Sequence, residues 1–387
     1  MNSIDSRPGE LRMDRRRFLA LSAAVAGALA AGQGRAASQP VTALYQRSIV
    51  IDGLGGPGGD SFDSGRPLTP DEVAEVRESG ITAFNVTIGS VGNEPPLAAF
   101  EAIVRDIARL DAEIERHPDV LVRVRTAADI RAAKRDGRCG LVYGLQDGVS
   151  FEDDLDRLQT LRQLGVMVIQ PTYNRRNLLG DGSMEPADAG LSRDGVEAIE
   201  RMNALGILVD LSHCGRRTAM DAIRVSFKPV AFTHTGCAAL ADHPRNRTDA
   251  ELRAVAERGG VAGIYVMPYL ARGRQPTGAD VVAHVEHAWN VCGEDHVSIG
   301  TDGTLSAIVL TPEFVEAFRE NTRRRREAGI AAPGETDDGY LFASDLNTPR
   351  RLETLAGMLV ARGHSEARVE KLLGANLLRV FGEAWGG

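Results

Sequence analysis

Eight short runs rich in apolar and β-branched residues recur along this chain, separated by longer stretches of helical periodicity, and that alternation leaves few folds open. The runs are SIVID (48–52), ITAFNV (81–86), GLVYGL (140–145), VMVIQP (166–171), ILVDLS (207–212), VAFT (230–233), VAGIYV (261–266) and VSIG (297–300). Most are nearly continuous in apolar side chains, as strands covered on both faces of a parallel sheet must be. The segments between them, such as PPLAAFEAIVRDIARLDAEIERH and GLSRDGVEAIERMNALG, read as amphipathic helices, the second with Ser192 as N-cap and Gly206 at its exit. Strands alternating with helices in this number predict a single α/β domain, a (β/α)8 barrel of the TIM type. Two further helices, near 348–361 and 365–379, are expected to close the chain.

The first 37 residues are expected to stand outside that domain. MDRRRFLALSAAVAGALAAGQGRAAS carries Arg15 to Arg17, an apolar run from Leu19 to Ala31, and then small residues suited to a signal peptidase. The run is short for a membrane span, and Asp14-Arg15-Arg16-Arg17-Phe18-Leu19 resembles the twin-arginine export signal. The expectation is therefore a signal peptide over 1–37 and a barrel over 38–387 that works in the periplasm or outside, with no stable membrane insertion once the signal is removed. An uncleaved anchor is the alternative. With 387 residues, 43% of them apolar, the chain can bury a sizeable core. A net charge of −8, with both signs interspersed, argues against a nucleic-acid partner. The basic cluster Arg323 to Arg326, flanked by Glu320 and Glu327, is expected on a solvated helix face. Cys139, Cys214, Cys237 and Cys292 have neither the density of a disulfide scaffold nor a CxxC spacing.

Two of the runs end alike. LGILVDLSH (205–213) and KPVAFTH (228–234) each finish on a small hydroxyl residue followed by histidine. In such barrels the C-terminal ends of the strands converge on one pocket, so His213 and His234, ending consecutive strands, can reach one metal ion. Other strand ends carry Gln146 and Asp147, Tyr173 and Asn174, and Asp302. A carboxylate after the last strand can move a proton between a water and a leaving amine. Arg245, in the loop ADHPRNRTDAELRAVAERGG, is placed to hold a substrate carboxylate. His243, beside a proline, fits a turn-stabilising role better. His284 and His287, three apart on an outer helix, lack a completing carboxylate and are not expected to bind metal.

From about residue 45 onward the chain resembles the membrane (renal) dipeptidase family, peptidase family M19, among the metal-dependent hydrolase barrels. The resemblance rests on GLSRDGVEAIERMNALGILVDLSH, PVAFTHTG, DHPRNRTDAELRAVAERGG, VSIGTDG and GANLLRVF, in that order. It implies a zinc hydrolase acting on dipeptides, with His213 and His234 as zinc ligands, Arg245 as the carboxylate clamp, Asp302 as the catalytic aspartate, and a homodimer. Four positions depart from the pattern. Where the family ends strand one with Asp-Gly-His-x-Asp, this chain has Asp52-Gly53-Leu54-Gly55-Gly56; the bridging glutamate is Gln146, and the strand-four histidine is Tyr173.

Two unit charges 4 Å apart interact by about 4 kcal/mol at an effective dielectric near 20, and two divalent ions repel several-fold more. An amide, a leucine and a glycine cannot offset that, so one zinc is expected, on His213, His234 and a weak Gln146 oxygen. Asp302, Asp147, Cys214 and Glu185 are candidates to complete it. The expected function is an exported dipeptidase-like metallohydrolase for a small peptide or amide bond beside a carboxylate, with Tyr173 donating to the developing oxyanion. The alternatives are a tailoring enzyme or isomerase on the same scaffold, and a non-catalytic binding protein.

Overall fold

All eight apolar runs contain barrel strands. A computed structural model describes residues 40–386 except 60, 61, 63, 64 and 93, so the expected leader lies outside the described residues. The strands are β1 (Ile51–Asp52), β2 (Ala83–Thr87), β3 (Cys139–Leu145), β4 (Val166–Ile169), β5 (Leu208–Val209), β6 (Ala231–Cys237), β7 (Val261–Ile264) and β8 (Val297–Ile299). Strands β1 to β5 pair in order, and β6, β7 and β8 pair in order, all of them parallel. A bridge between Asp210 and Ala231 joins β5 to β6, and the Gly53 amide donates to the Ile299 carbonyl at 2.8 Å to join β8 to β1. The ring is thereby closed, within the compact unit Leu44–Gly387.

Local chemistry places the helices. Ser192 caps Arg193–Leu205 by accepting from the Gly195 amide at 3.0 Å, and Gly206 leaves that helix with φ 69°. Thr248 and Glu251 form a capping box on Asp249–Glu257. Glu251 is also the partner of buried Arg247, at 3.0 Å, which pins the start of this helix to the loop after β6. The helix Asn376–Trp385 turns Leu377, Phe381 and Trp385 into one cluster with Ile51, Val142, Val168 and Val261 of the strands, and the Trp385 indole donates to the Met167 carbonyl at 3.0 Å. That apolar seal covers the end of the barrel away from the strand-end histidines.

Two glycines matter for close approach inside the barrel. A side chain at Gly263 or Gly300 would lie 2.0 Å from the Thr233 carbonyl oxygen, so the backbones of β7 and β8 press directly on the residue before His234. After β8 the chain builds a structure the apolar runs do not announce. The helix Pro312–Glu327 and the loop to residue 342 fold back over the strand ends, with the Ile330 carbonyl accepting from Asn174 at 2.9 Å and the Pro333 carbonyl meeting His243 at 2.6 Å.

Candidate active site

Each hydroxyl preceding a strand-end histidine has a defined task. Asp210, buried within β5's C-terminal extension, accepts from the Ser212 amide (3.1 Å), the Ser212 hydroxyl (2.5 Å), the Thr233 amide (3.0 Å) and the Thr233 hydroxyl (2.6 Å). Burial pushes its carboxyl up, and these donors pull it back. Ser212 Oγ in turn accepts from the His234 amide at 3.1 Å. Because the Thr233 proton is committed to Asp210, its oxygen can only accept from His234 Nδ1, 2.8 Å away. His234 is therefore the Nδ1–H tautomer, and its Nε2 lone pair is free.

His213 reaches the same state by another route. Its Nδ1 lies 2.7 Å from Asn174 Oδ1, whose amide nitrogen is committed to Ile330, so Nδ1 is the donor and Nε2 again keeps its lone pair. Its amide donates to Gln170 Oε1 at 3.1 Å, and the preceding Ser212 carbonyl accepts from Arg245 Nη1 and from Arg247 Nη2. Burial first, then the positive charge of Arg245, holds both imidazoles well below their usual pKa and hence neutral.

The ring centroids lie 5.1 Å apart with planes tilted by 56°, and both Nε2 atoms are buried without a hydrogen-bond partner. Metal–nitrogen bonds of about 2.1 Å at a tetrahedral angle put two imidazole centroids about 5 Å apart, so the pair fits one shared ion. Among the described residues no group of three or more His, Cys, Asp or Glu side chains could hold a metal. Asp147 accepts from Gly92, Val149 and Asn177, Glu185 from the Arg176 amide, and the Cys214 thiol is buried with its pKa pushed up to about 12. Gln146 donates to Thr87 Oγ1 at 2.8 Å and leaves its Oε1 buried and unpartnered. At the end of β1 a side chain on Gly56 would meet the Phe62 ring at 2.6 Å, so an aromatic ring fills that position.

Tyr173, His213, Arg245, Asp302 and Arg325 line one cavity of about 160 Å³ at the strand ends. Tyr173 stacks on His213 with centroids 4.0 Å apart. Arg245 is 1% exposed, and its Nη2 is buried without a partner. Asp302 is the only non-glycine residue with positive φ, 60°, among those described, and its carboxylate bonds to none of them. Its amide donates to Leu54 O at 2.8 Å, which ties the strained turn to the end of β1. Burial first, against the pull of Arg245 and Arg325, pushes its pKa up to about 7.

Arg325 corrects the sequence expectation. Its neighbours Arg323, Arg324 and Arg326 are solvent-facing, but Arg325 is only 24% exposed, points into the cavity, and pairs with Glu335 at 2.8 and 3.0 Å. The signal was present in the spacing of Phe314, Phe318, Thr322 and Arg325, which puts all four on one helix face. Arg325 also lines the cavity beside the Tyr173 phenol, and its positive charge acts on that phenol. Asp210 also escaped the sequence reading; its signal was a carboxylate inside an otherwise apolar run. His243 accepts from the Arg245 amide at 3.1 Å and stacks on Tyr269, a loop-holding role. His284 bonds to the Cys237 amide and faces the Leu270 carbonyl, a packing role.

The tautomer argument gives a test. In Asp210→Asn the new NH2 donates to Thr233 Oγ1, whose proton then turns to His234 Nδ1 and moves the imidazole proton to Nε2. Metal affinity is expected to fall about 10- to 100-fold with the fold retained. Metal titration alongside thermal melting checks this; unchanged affinity would refute the assigned tautomer.

Comparison with known proteins comes to the same place. The family model described as membrane dipeptidase (peptidase family M19) matches residues 43–313. Dipeptidase verJ of Clonostachys rogersoniana is 29% identical over 285 residues, 73% of this chain and 65% of its own length, so the chain spans a little under two thirds of that relative. The crystal structure of an amidohydrolase from Pseudomonas aeruginosa is 33% identical, with a TM-score of 0.76 over 90% of this chain and 99% of that one. A metallo peptidase from Rhodobacter sphaeroides, liganded with a phosphinate mimic of L-Ala-D-Ala, shares the fold at 20% identity, with a TM-score of 0.72 over 87% and 100% of the two chains. With the family model matched from Ala43 through β8 and the strand-end histidines held as described, this chain belongs to the membrane dipeptidase family, peptidase family M19.

Proposed function

We propose that the protein is an exported dipeptidase-like metallohydrolase that cleaves a small peptide or amide bond next to a free carboxylate, using one zinc ion rather than two. The observation that carries this reading is the pair of buried, unpartnered Nε2 lone pairs on His213 and His234. Leaving two such acceptors buried and unsatisfied costs about 1–3 kcal/mol each, a cost a ligand relieves. Zinc held there would supply a Lewis acid and lower the pKa of a water.

The chain's own residues supply the rest. Arg245, with a buried Nη2 in want of an acceptor, binds the substrate carboxylate and sets the register of the scissile bond. Asp302 takes a proton from the attacking water on one carboxylate oxygen and delivers it to the leaving amine. A pKa near 7 suits both transfers. Tyr173 donates its phenol proton to the carbonyl oxygen as negative charge develops there, its ring held by the stack on His213. The cap over the mouth limits the cavity to small substrates. Export rests on the leader read from the sequence.

Metal removal tests the reading. Chelation is expected to abolish hydrolysis across a panel of L,L- and L,D-dipeptides, and one equivalent of zinc per chain to restore it. Full turnover by the metal-free protein would overturn it. The altered ends of β1 and β3 favour, as a second reading, a tailoring reaction without hydrolysis, which product analysis showing an intact amide bond would support.

A further inference from the structure

A second chamber, of about 280 Å³, opens on the other side of Asp302, which borders both cavities. Leu54, Phe62, Ile308 and Phe342 give it apolar walls, and Arg351 is the cationic side chain in its lining. Arg351 is 5% exposed. Its Nε donates to the Thr348 carbonyl at 2.9 Å and its Nη2 to the Leu305 carbonyl at 2.6 Å. Nη1 donates to no described residue and lies 3.9 Å from where a side chain on Gly303 would begin, on the chamber side.

No described carboxylate pairs with this guanidinium. The two nearby acids are occupied: Asp52 accepts from the Thr301 amide (2.7 Å), the Thr301 hydroxyl (2.6 Å) and the Leu54 amide (3.3 Å), and Glu75 takes the Ser306 hydroxyl. Buried Arg247, by contrast, has Glu251. Both acids act on Arg351 through space only, so this buried guanidinium has no described carboxylate in contact and its Nη1 is open to one brought by a ligand. Arg245 has the same character in the first cavity. Two buried, incompletely partnered guanidinium groups therefore flank the carboxylate assigned to proton transfer.

We propose that this chamber seats the acyl half of the substrate and selects a second carboxylate there, held by Arg351, so that the preferred substrates are dipeptide-like amides with an acidic acyl residue of the glutamate kind. The apolar walls suit the methylenes of such a side chain. This deepens the dipeptidase-like reading and rests on it.

The test is calorimetric binding of uncleavable reduced-amide isosteres of Glu-Ala and Gln-Ala to the metal-loaded protein. The acid is expected to bind about tenfold or more tightly than the amide, the worth of one charge-assisted hydrogen bond. Arg351→Gln is expected to bring the two within about twofold, and Arg351→Lys to keep part of the preference. Equal affinities in the unaltered protein, no binding of either, or a preference that survives Arg351→Gln would overturn the proposal. The first two outcomes need no variant, so a failure of Arg351→Gln to fold leaves the proposal falsifiable. Cleavage of Glu-Ala itself is scored separately. A binding preference without cleavage counts against the hydrolase reading and supports the chamber's assignment; cleavage of neutral dipeptides without any preference does the reverse.

Discussion

Asp302→Asn is expected to cut kcat about a thousandfold while moving KM by no more than a few fold, because the amide keeps the shape but can neither take nor return a proton. The backbone at φ 60° aims into the cavity a carboxylate that no described residue hydrogen-bonds, so the loss should fall on the chemical step. Steady-state kinetics on a cleaved dipeptide checks this. A large rise in KM with kcat intact would assign Asp302 to binding instead. The same variant has a stability signature in metal-free protein. The folded pKa, about 7, lies above the ordinary 3.8, so the folded state holds the proton more tightly. Its favourable contribution is complete below the ordinary value and is lost as pH rises through about 7. Melting temperatures of Asp302→Asn relative to the unaltered protein should therefore rise between pH 5 and pH 8, by the equivalent of about 3 kcal/mol at most.

The second large effect concerns the histidines. His213→Ala and His234→Ala are each expected to abolish both metal retention after dialysis and hydrolysis, since each removes one of only two nitrogen donors. Atomic absorption and activity measured on the same samples check the link, and added imidazole should recover part of the activity by occupying the vacated position. Metal retained at one equivalent in either alanine variant would move the site elsewhere. Wild-type rates without metal would remove the metal from the chemistry.

How much of this was legible in the sequence depended on whether the signal was local. The eight barrel strands were, because strands buried on both faces must be nearly all apolar. The short strand Leu121–Arg123, paired to β3, was not: three residues ending in arginine carry no period. His213, His234, Arg245 and Asp302 were legible as polar residues at strand ends, and Tyr173, Arg245, Asp302 and His213 do share one cavity. What the sequence could not convey is who holds whom. The free lone pair on His234 depends on a proton passed from Thr233 to Asp210, and that on His213 on an amide fixed by Ile330, 156 residues away. Nor could it show that Pro312–Glu327 folds over the mouth. A helix so rich in arginine and glutamate reads as solvated, and the one side chain it sends inward differs from its neighbours only in phase.

The ring of Phe62 against Gly56 has a consequence for how this scaffold can change. Introducing a carboxylate at position 56 alone would drive it into that ring, and shrinking Phe62 alone would only widen the chamber it lines with Leu54. Neither change helps without the other, so placing a carboxylate at this strand end requires concerted replacements. Strong epistasis at the end of β1 would keep this strand end without a carboxylate, whatever selection asked of its chemistry.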